Sequence, residues 1–147
     1  MKGAVKSINL SSQKGMKKQS VSEGVLKRNF GLIGDIHGGD PLRQVSLLSW
    51  ESIERMRSKG LNVGSGDFAE NITTLGIKLK RVSIGERISV GASILEVTQI
   101  GKLCKAPCSI YYQAGECIMP KEGIFARVLK GGRIKVGDEI RIQSPRD

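Results

Sequence analysis

Two nine-residue segments of the chain share one pattern, and this pattern restricts the folds open to it. VSIGERISV (Val82 to Val90) and IKVGDEIRI (Ile134 to Ile142) both read apolar, polar, apolar, Gly, acid, polar, Ile, polar, apolar. In each, a glycine turn introduces an alternating run, which is the period of a half-buried β-strand. The recurrence predicts a closed β structure that uses one type of corner twice, although nine residues are too short to establish a duplicated domain.

A hairpin that overlaps the first segment predicts the same class of fold. RISV and SILEVTQI are separated by Gly91-Ala92, a two-residue loop of the Gly-X kind that a type II′ hairpin requires. Aromatic residues make up only 4% of the chain, so Val, Ile and Leu must fill the core, and 19 glycines indicate many turns. We therefore predict a mainly β protein, a closed mixed or antiparallel β-barrel with a few short helices, formed by residues 1–147 as a single domain.

Local patterns predict the other elements. The basic stretch SSQKGMKKQ reads as a solvated loop, and alternation predicts strands at Gly3 to Leu10, Ser20 to Lys27 and Arg43 to Leu48. Ser49 is expected to cap a helix that runs to about Ser58, and Gly60 is expected to end it. The polar run ENITT carries Asn71 and Thr73, and so many hydrogen-bonding side chains on one strand indicate a surface or a site.

The formal net charge of +10 favours an anionic partner, which could be nucleic acid, an acidic protein or a phosphorylated cofactor. Nucleic-acid binding is the alternative function from another class, but the basic residues are scattered and are not interleaved with the aromatic residues that stacking surfaces use. No apolar run reaches the roughly 18 residues of a membrane span, and MKGAVKSINL lacks the apolar core of a signal peptide. We expect a cytoplasmic protein with no membrane partner.

The stretch Glu96 to Val128 contains all three cysteines, and chemistry is expected there. Cys104 stands between Lys102 and Lys105, and ammonium groups that converge on a thiol lower its pKa and stabilise the thiolate. A thiolate attacks electrophiles, carries sulfur or binds soft metals. The alternative is that Cys104 is a small core residue, as unpaired cysteines commonly are.

The odd number of cysteines argues against a secreted disulfide framework and favours thiol chemistry or metal binding in a reducing compartment. Cys104, Cys108, Cys117 and His37 would supply four zinc ligands, but the spacing lacks the C-x2-C clamps of structural zinc, so zinc is not expected. His37 lies in a glycine-rich turn. It is either a loop residue that forms hydrogen bonds or a residue of the functional site. No Ser-His-Asp arrangement, P-loop or paired-carboxylate motif supports hydrolysis.

Five motifs, taken in order, resemble the signature of the MOSC domain. They are GDIHGG, RQVSLLSWESI, GDFAENITTLGI, IGERISVGASILEVTQIGKLC and MPKEGIFARVLKGGRIKVGDEI, and they run from about Gly31 to Ile140. This domain occurs at the C-terminus of molybdenum-cofactor sulfurases and in amidoxime-reducing molybdenum enzymes. The resemblance implies a MOSC-like β-barrel and a role in handling sulfur or the molybdenum cofactor through a cysteine.

The resemblance also assigns roles to residues. The family cysteine follows an EVTQ-type strand, and this position falls on Cys104, which would carry a persulfide or ligate molybdenum. The remaining cofactor-binding positions are polar or cationic and would bind the ring or phosphate of molybdopterin; they are Asn71, Thr73, Arg127, Lys130, His37 and Lys102. Apart from the resemblance, Asn71 and Thr73 could instead satisfy backbone groups at the end of a strand.

The chain departs from the family pattern in two respects. Ala69 stands where the family usually shows glycine, and Cys108 and Cys117 are not associated with the family core. We expect no PLP-dependent lyase domain in this protein, so pyridoxal phosphate is expected only in a partner sulfurase. We expect a standalone sulfur carrier or cofactor-binding protein rather than an independent enzyme. Its expected partner is a cysteine desulfurase, a molybdoenzyme or a protein of molybdenum-cofactor biosynthesis.

Overall fold

The structure is a computed structural model that describes residues 2–13, 18–101 and 122–143. Among these residues no helix has the length and apolarity needed to cross a membrane. The elements, in chain order, are β1 (Lys2–Leu10), β2 (Gln19–Val21), β3 (Glu23–Lys27), β4 (Gly31–Leu32), β5 (Val45–Ser49), α1 (Trp50–Ser58), β6 (Ile72–Leu75), a 3-10 turn (Leu79–Arg81), β7 (Arg87–Val90), β8 (Ser93–Ile100), β9 (Ile124–Lys130), β10 (Gly132–Lys135) and β11 (Glu139–Gln143).

Seven of the strands form a closed barrel. Their order around it is β1, β6, β5, β9, β8, β7 and β11, and β11 pairs back with β1. Neighbours are antiparallel except β5 and β6, which run parallel because α1 and the loop after it carry the chain back to the same end of the barrel. The predicted mainly β fold, a closed mixed barrel with few helices, is confirmed. Strand β2 extends the barrel sheet, and β10, β3 and β4 form a small second sheet.

Alternation along the strands separates an inner face from an outer face. Inward aliphatic side chains, among them Ile88, Val90 and Leu95, fill the barrel. A second cluster lies on the outer face, where Ile53 and Met56 of α1 pack with Phe125 of β9 and with apolar residues of the loop after the helix. The loop of residues 59–71 is thereby held against the barrel wall, next to a group of buried polar side chains.

The two repeated corners lead into strands that pair with each other. Gly85 and Gly137 have φ values of +93° and +95°, a left-handed backbone that glycine adopts without strain. In each corner the following acid accepts a hydrogen bond from the backbone N–H three residues earlier, at 2.7 Å for Glu86 and 2.9 Å for Asp138. The strands that follow, β7 and β11, are antiparallel neighbours in the barrel. Both corners therefore lie in turns that lead into barrel strands, and the predicted use of one type of corner twice in a closed β structure is confirmed.

The predicted hairpin and helix are also present. Gly91 has a φ of +57°, Val90 pairs with Ser93 across the turn, and Ala92 does not share the positive φ, as a Gly-X turn requires. Helix α1 ends at Ser58, and the side chain of Ser49 accepts from Ser52 N–H as its N-cap. Both predictions are confirmed. Each element could be predicted because it depends on a single local backbone requirement.

Three local predictions need correction. The predicted strand Ser20 to Lys27 is divided at Ser22 into β2, which pairs with β1, and β3, which pairs with β10 and β4. The stretch SSQKGMKKQ, predicted to be a solvated basic loop, contains Lys18, which is only 4% exposed. Arg43, predicted to begin a strand, precedes β5 and lies on the outside of the barrel wall. Lys18 and Arg43 both belong to the polar cluster described next.

Candidate functional site

A buried ion pair anchors the loop between β4 and β5. Lys18 Nζ lies 2.6 Å from Asp35 Oδ1, and neither side chain is more than 1% exposed. Asp35 also accepts hydrogen bonds from the backbone N–H groups of Ser11 (3.0 Å) and His37 (3.2 Å). Burial alone raises the pKa of this carboxyl, but the hydrogen bonds from His37, Lys18 and Ser11 outweigh burial and hold the pKa well below its ordinary value. Asp35 is therefore a fixed negative charge paired with Lys18.

The ring of His37 lies against this ion pair. Its Nδ1 is 3.1 Å from Lys18 Nζ and 3.5 Å from Asp35 Oδ2, and 46% of the side chain is exposed. An ammonium group can only donate, so Nδ1 accepts from Lys18 in the tautomer that carries the ring proton on Nε2. The ion pair thus orients a partly exposed imidazole, and the second ring nitrogen is left for a ligand.

The ENIT segment packs beside the same carboxylate. Asn71 is buried; its Oδ1 accepts from the backbone N–H of Ser46 (3.0 Å), and its Nδ2 donates to the carbonyl of Asn9 (3.2 Å). A hydrogen bond from Asn71 is also among the interactions that lower the pKa of Asp35. Asn71 and the Asp35–His37 pair are thus linked through the end of β1, where Asn9 accepts from Asn71 and Ser11 N–H donates to Asp35, although the three segments are far apart in sequence.

Thr73 lies in the next layer of the same network and is fully buried. Its Oγ1 donates to Glu70 Oε2 (2.8 Å) and accepts from Ser7 Oγ (2.9 Å) and Asn9 Nδ2 (3.2 Å). Glu70 Oε2 also accepts from Gly66 N–H at 3.0 Å, whereas Oε1 is buried without a hydrogen-bond partner among the described residues. Burial raises the pKa of Glu70, because the hydrogen bonds from Gly66 and Thr73 offset it only in part.

The backbone at Ala69 shows why the family pattern has glycine at this position. Its φ is +63°, and its carbonyl accepts a hydrogen bond from Ser46 Oγ at 3.2 Å. Only glycine adopts this left-handed backbone without a steric cost. The glycine expected here therefore has a physical reason, and the alanine of this chain retains the turn under strain.

Arg43 and Gln99 connect the histidine loop to strand β8. Arg43 Nε donates to Gln99 Oε1 (3.2 Å), and its guanidinium carbon lies 5.4 Å from the centre of the Phe125 ring. The hydroxyl of Thr98 donates to the carbonyl of Leu42 in the same loop. Gln99 Nε2 in turn donates to the carbonyl of Gly101 (2.9 Å), the last described residue before the cysteines.

Two predicted cofactor-binding residues, Arg127 and Lys130, lie elsewhere on β9. Arg127 is exposed and forms an ion pair with Glu96 on β8, with 2.7 Å between its terminal nitrogen and the carboxylate. Lys130 is exposed and lies opposite Ile94, five residues along β9 from Phe125, which corresponds to about 16 Å. In the part of the chain that the structure describes, neither residue hydrogen-bonds to the Lys18–Asp35–His37 cluster.

The predicted reactive residue, Cys104, lies outside the described residues, as do Lys102, Cys108 and Cys117. Their roles stay predictions. Within residues 2–13, 18–101 and 122–143, no group of three or more His, Cys, Asp or Glu side chains is arranged to hold a metal ion.

A cleft of about 530 Å³ lies at the end of the barrel where β9 begins, between α1 and residues 76–81. Glu122 is on its wall, accepts from Ser52 Oγ (3.0 Å) and forms ion pairs with Arg55 and with Lys80 (3.3 Å). Burial raises the pKa of Glu122, but the hydrogen bonds from Arg55 and Ser52, the charge of Arg55 and the Lys80 contact lower it overall. None of the predicted site residues that the structure describes lines this cleft.

Sequence reasoning missed Lys18, Asp35, Arg43 and Glu70. Asp35 and Glu70 stand inside the motifs GDIHGG and GDFAENITTLGI, directly beside predicted site residues, and that position was the available signal. No sequence signal identified Lys18, because the sequence of a basic run does not distinguish a solvated lysine from one that forms a buried ion pair.

Comparison with known proteins agrees with the fold and with the order of motifs. A family model of the MOSC domain matches residues 34–141. No curated protein matches the chain. Three solved structures share the fold at 19 to 21% sequence identity, and likeness at this level concerns the fold alone.

The first is the YUAD protein from Bacillus subtilis, with a TM-score of 0.80 and 19% identity over 98% of this chain and 97% of that one. The second is YiiM from Geobacillus stearothermophilus, with a TM-score of 0.71 and 21% identity over 97% of this chain and 75% of that one. YiiM from Escherichia coli has a TM-score of 0.71 and 20% identity over 98% of this chain and 70% of that one.

Proposed function

Because the chain belongs to the MOSC domain family, we propose that it handles sulfur or the molybdenum cofactor, with Cys104 as its reactive residue. It acts as a carrier of persulfide sulfur, or as a protein that binds the cofactor, within cytoplasmic molybdenum-cofactor metabolism. It is not an independent enzyme in this proposal. A pyridoxal-phosphate-dependent cysteine desulfurase supplies the sulfur, and a molybdoenzyme or a biosynthetic protein receives the product.

The observation that carries the proposal is the meeting of three family motifs at one place. Asp35 joins the histidine loop to the ENIT segment through the end of β1: it lies 3.5 Å from His37 Nδ1 and accepts from the N–H of Ser11, two residues after Asn9, whose carbonyl accepts from Asn71 Nδ2. Arg43 joins the same loop to Gln99 at the end of the EVTQ strand. The chain that leaves this strand at Gly101 reaches Cys104 three residues later. Arg43 therefore contacts the end of the strand from which the sequence continues to Cys104.

Sulfur transfer to Cys104 needs no oxidant. The Cys104 thiolate attacks the outer sulfur of a persulfide on the donor enzyme, and one sulfur–sulfur bond forms as the other breaks. The donor cysteine leaves as a thiolate, so charge and electrons balance. Cationic groups near Cys104 support this step because they favour the attacking thiolate over the thiol.

The described residues fit an anionic cofactor. Asp35 is the carboxylate in contact with His37, and its charge is paired with Lys18, so it repels an incoming phosphate less than a free carboxylate would. The imidazole of His37 and the guanidinium of Arg43, which is half-buried, can donate hydrogen bonds to the phosphate. The cofactor, when bound, supplies the metal and its redox chemistry. Cys104 would supply a thiolate ligand, since thiolates bind soft metals.

Asn71 and Thr73 have a different part in this proposal. Both are buried, and their polar atoms already bond to Ser46, Asn9 and Glu70. They hold the loop of residues 59–71 and the Asp35 carboxylate in place. A direct contact of either residue with a pterin remains a prediction, and so do the phosphate contacts predicted for Arg127, Lys130 and Lys102.

Intact-mass measurement tests the proposal. The protein is incubated with a purified cysteine desulfurase and cysteine, and the expected result is a gain of one sulfur atom that dithiothreitol removes. Cys104→Ala should lose this gain and keep its fold. Binding of molybdopterin to the wild type, to Arg43→Ala and to the exposed control Arg87→Ala tests the second branch. If the wild type neither gains sulfur nor binds molybdopterin, the proposed function is wrong.

A further inference from the structure

The small sheet of β10, β3 and β4 presents one solvent-exposed face. Its side chains alternate, so Leu26 and Leu32 point into the core while the neighbouring positions face outward. Val25 pairs with Arg133 on one side and continues to Ile33 on the other, where Ile33 N–H donates to the carbonyl of Val25 (2.9 Å). A row of three outward side chains thus crosses the sheet.

This row has an apolar centre. Val25 of β3 is 41% exposed, and Ile33, the residue directly after β4, is 51% exposed. The two residues are neighbours across the sheet. Single exposed aliphatic residues are common, but a contiguous pair surrounded by charges is a feature of interaction surfaces. We call the surface formed by Val25, Lys27, Ile33, Arg133 and Lys135 the basic–apolar face.

The rim of this face is cationic. Lys27 lies two residues from Val25 on the same side of β3, and Lys135 lies two residues from Arg133 on the same side of β10. All three cations are exposed. Glu23, opposite Lys135, is the one carboxylate on this side of the described strands β3 and β10. The face therefore carries a net positive charge around its apolar pair.

The face borders the histidine loop. Lys27 Nζ lies 5.7 Å from the centre of the Phe30 ring, and a Cβ placed on Gly38 would come within 2.4 Å of that ring. Gly39 N–H donates to the carbonyl of Phe30 at 2.7 Å. The Phe30 ring thus lies between Lys27 of the basic–apolar face and Gly38, the residue after His37, so a partner seated on the face borders the histidine loop.

We propose that the basic–apolar face docks the protein that exchanges sulfur with this chain, and that the docking surface of that partner has an apolar centre and an acidic rim. This inference rests on the proposed function and adds the surface that the sulfur donor recognises. An apolar core with a charged rim is the arrangement of protein interfaces, and complementary rim charges accelerate encounter. The aliphatic centre favours a protein over a nucleic acid, because single-stranded bases stack on aromatic rings.

The test compares two sulfur donors. A purified acidic cysteine desulfurase with cysteine must dock, whereas inorganic polysulfide reaches a thiolate by diffusion alone. The variants are Arg133→Glu/Lys135→Glu and Ile33→Ser, and the control is Lys2→Glu/Arg87→Glu, which makes the same change in net charge on exposed barrel positions. Loading is measured by intact mass against desulfurase concentration.

We expect both face variants to need about tenfold more desulfurase for half-maximal loading, with the wild-type rate retained for polysulfide, and the control to match the wild type. Equal loading of wild type and face variants overturns the docking surface and leaves the proposed function standing. Loading of the wild type from polysulfide alone overturns a desulfurase as the docked partner. No loading from either donor means that the proposed function itself has failed.

Two further readouts exclude other occupants of the face. The docking proposal is overturned if the wild type binds a fluorescent oligonucleotide at physiological salt and the face variants do not. It is also overturned if the wild type sediments as a dimer that these substitutions dissociate, because a second copy of the chain then covers the face.

Discussion

Substitution of Lys18 by methionine tests the buried ion pair that holds the histidine loop. Methionine keeps much of the apolar stem and removes the ammonium group, so Asp35 stays buried without its partner. Removing one member of a buried pair costs about 3 to 5 kcal/mol, since the remaining charge is uncompensated. Both side chains here are at most 1% exposed, so solvent can replace little of the lost interaction.

Lys80→Met is the matched control. Lys80 Nζ lies 3.3 Å from Glu122 Oε1, but the lysine side chain is 66% exposed. An exposed pair contributes about 0 to 1 kcal/mol. The free energy of unfolding is measured in urea by the fluorescence of Trp50, the single tryptophan, which packs partly buried against the second cluster. If Lys18→Met costs no more than Lys80→Met, the ion pair does not hold the loop as we describe.

The pH dependence provides an independent check. In the wild type, the depressed pKa of Asp35 contributes stability at neutral pH, and this contribution is lost as the pH falls below the ordinary pKa of aspartate. Loss of Lys18 raises the pKa of Asp35, so the variant takes up a proton at a higher pH than the wild type. The stability deficit of Lys18→Met should therefore narrow as the solution is acidified. The double variant with Asp35→Asn, which removes both charges, should be less destabilised than the sum of the single variants.

Three further substitutions test neighbouring parts of the structure. Glu70 has a raised pKa, so its contribution to the free energy of unfolding is complete below the ordinary glutamate pKa and falls as the pH rises, by up to about 1.4 kcal/mol per pH unit. Glu70→Gln should flatten this slope when unfolding in urea is measured at several pH values, and an unchanged slope contradicts the raised pKa. Ala69→Gly should raise the free energy of unfolding by about 0.5 to 1 kcal/mol, because the steric strain of a left-handed alanine exceeds the cost of the extra entropy that glycine gives the unfolded chain. Ala92→Gly is the control and should not stabilise, because Ala92 has no positive φ. Arg127→Ala should weaken binding of molybdopterin without loss of stability, and unchanged binding removes Arg127 from the site.

The sequence predicted those parts of the fold that depend on local backbone chemistry. The corners at Gly85 and Gly137 need a left-handed glycine followed by an acidic residue that accepts a hydrogen bond from the preceding backbone. Both requirements can be recognised from the residue types in the sequence. The Gly91-Ala92 turn and the Ser49 cap are determined in the same way. Their pairing partners across the barrel are set by long-range contacts, which is why only closure, and not strand order, was predicted.

The candidate site was predicted only in part because its organising residues act through tertiary contacts. The family motifs indicated His37 and Asn71, but not that Asp35 and the end of β1 link them. Lys18 pairs with a carboxylate 17 residues away, and nothing in a run of lysines distinguishes the buried one. Arg43 was assigned to a strand by its neighbours, whereas its contact with Gln99, 56 residues later, gives it a place in the site.

The relative reactivity of the three cysteines tests most directly the claim that Cys104 is the working thiolate. The folded protein is alkylated with limiting iodoacetamide near neutral pH, and the labelled peptides are quantified over time by mass spectrometry, because the rate follows thiolate fraction and access. We predict that Cys104 is modified first and that Cys108→Ala and Cys117→Ala leave its rate unchanged. Faster modification of Cys108 or Cys117, or protection of all three by a stoichiometric zinc ion, would contradict the account.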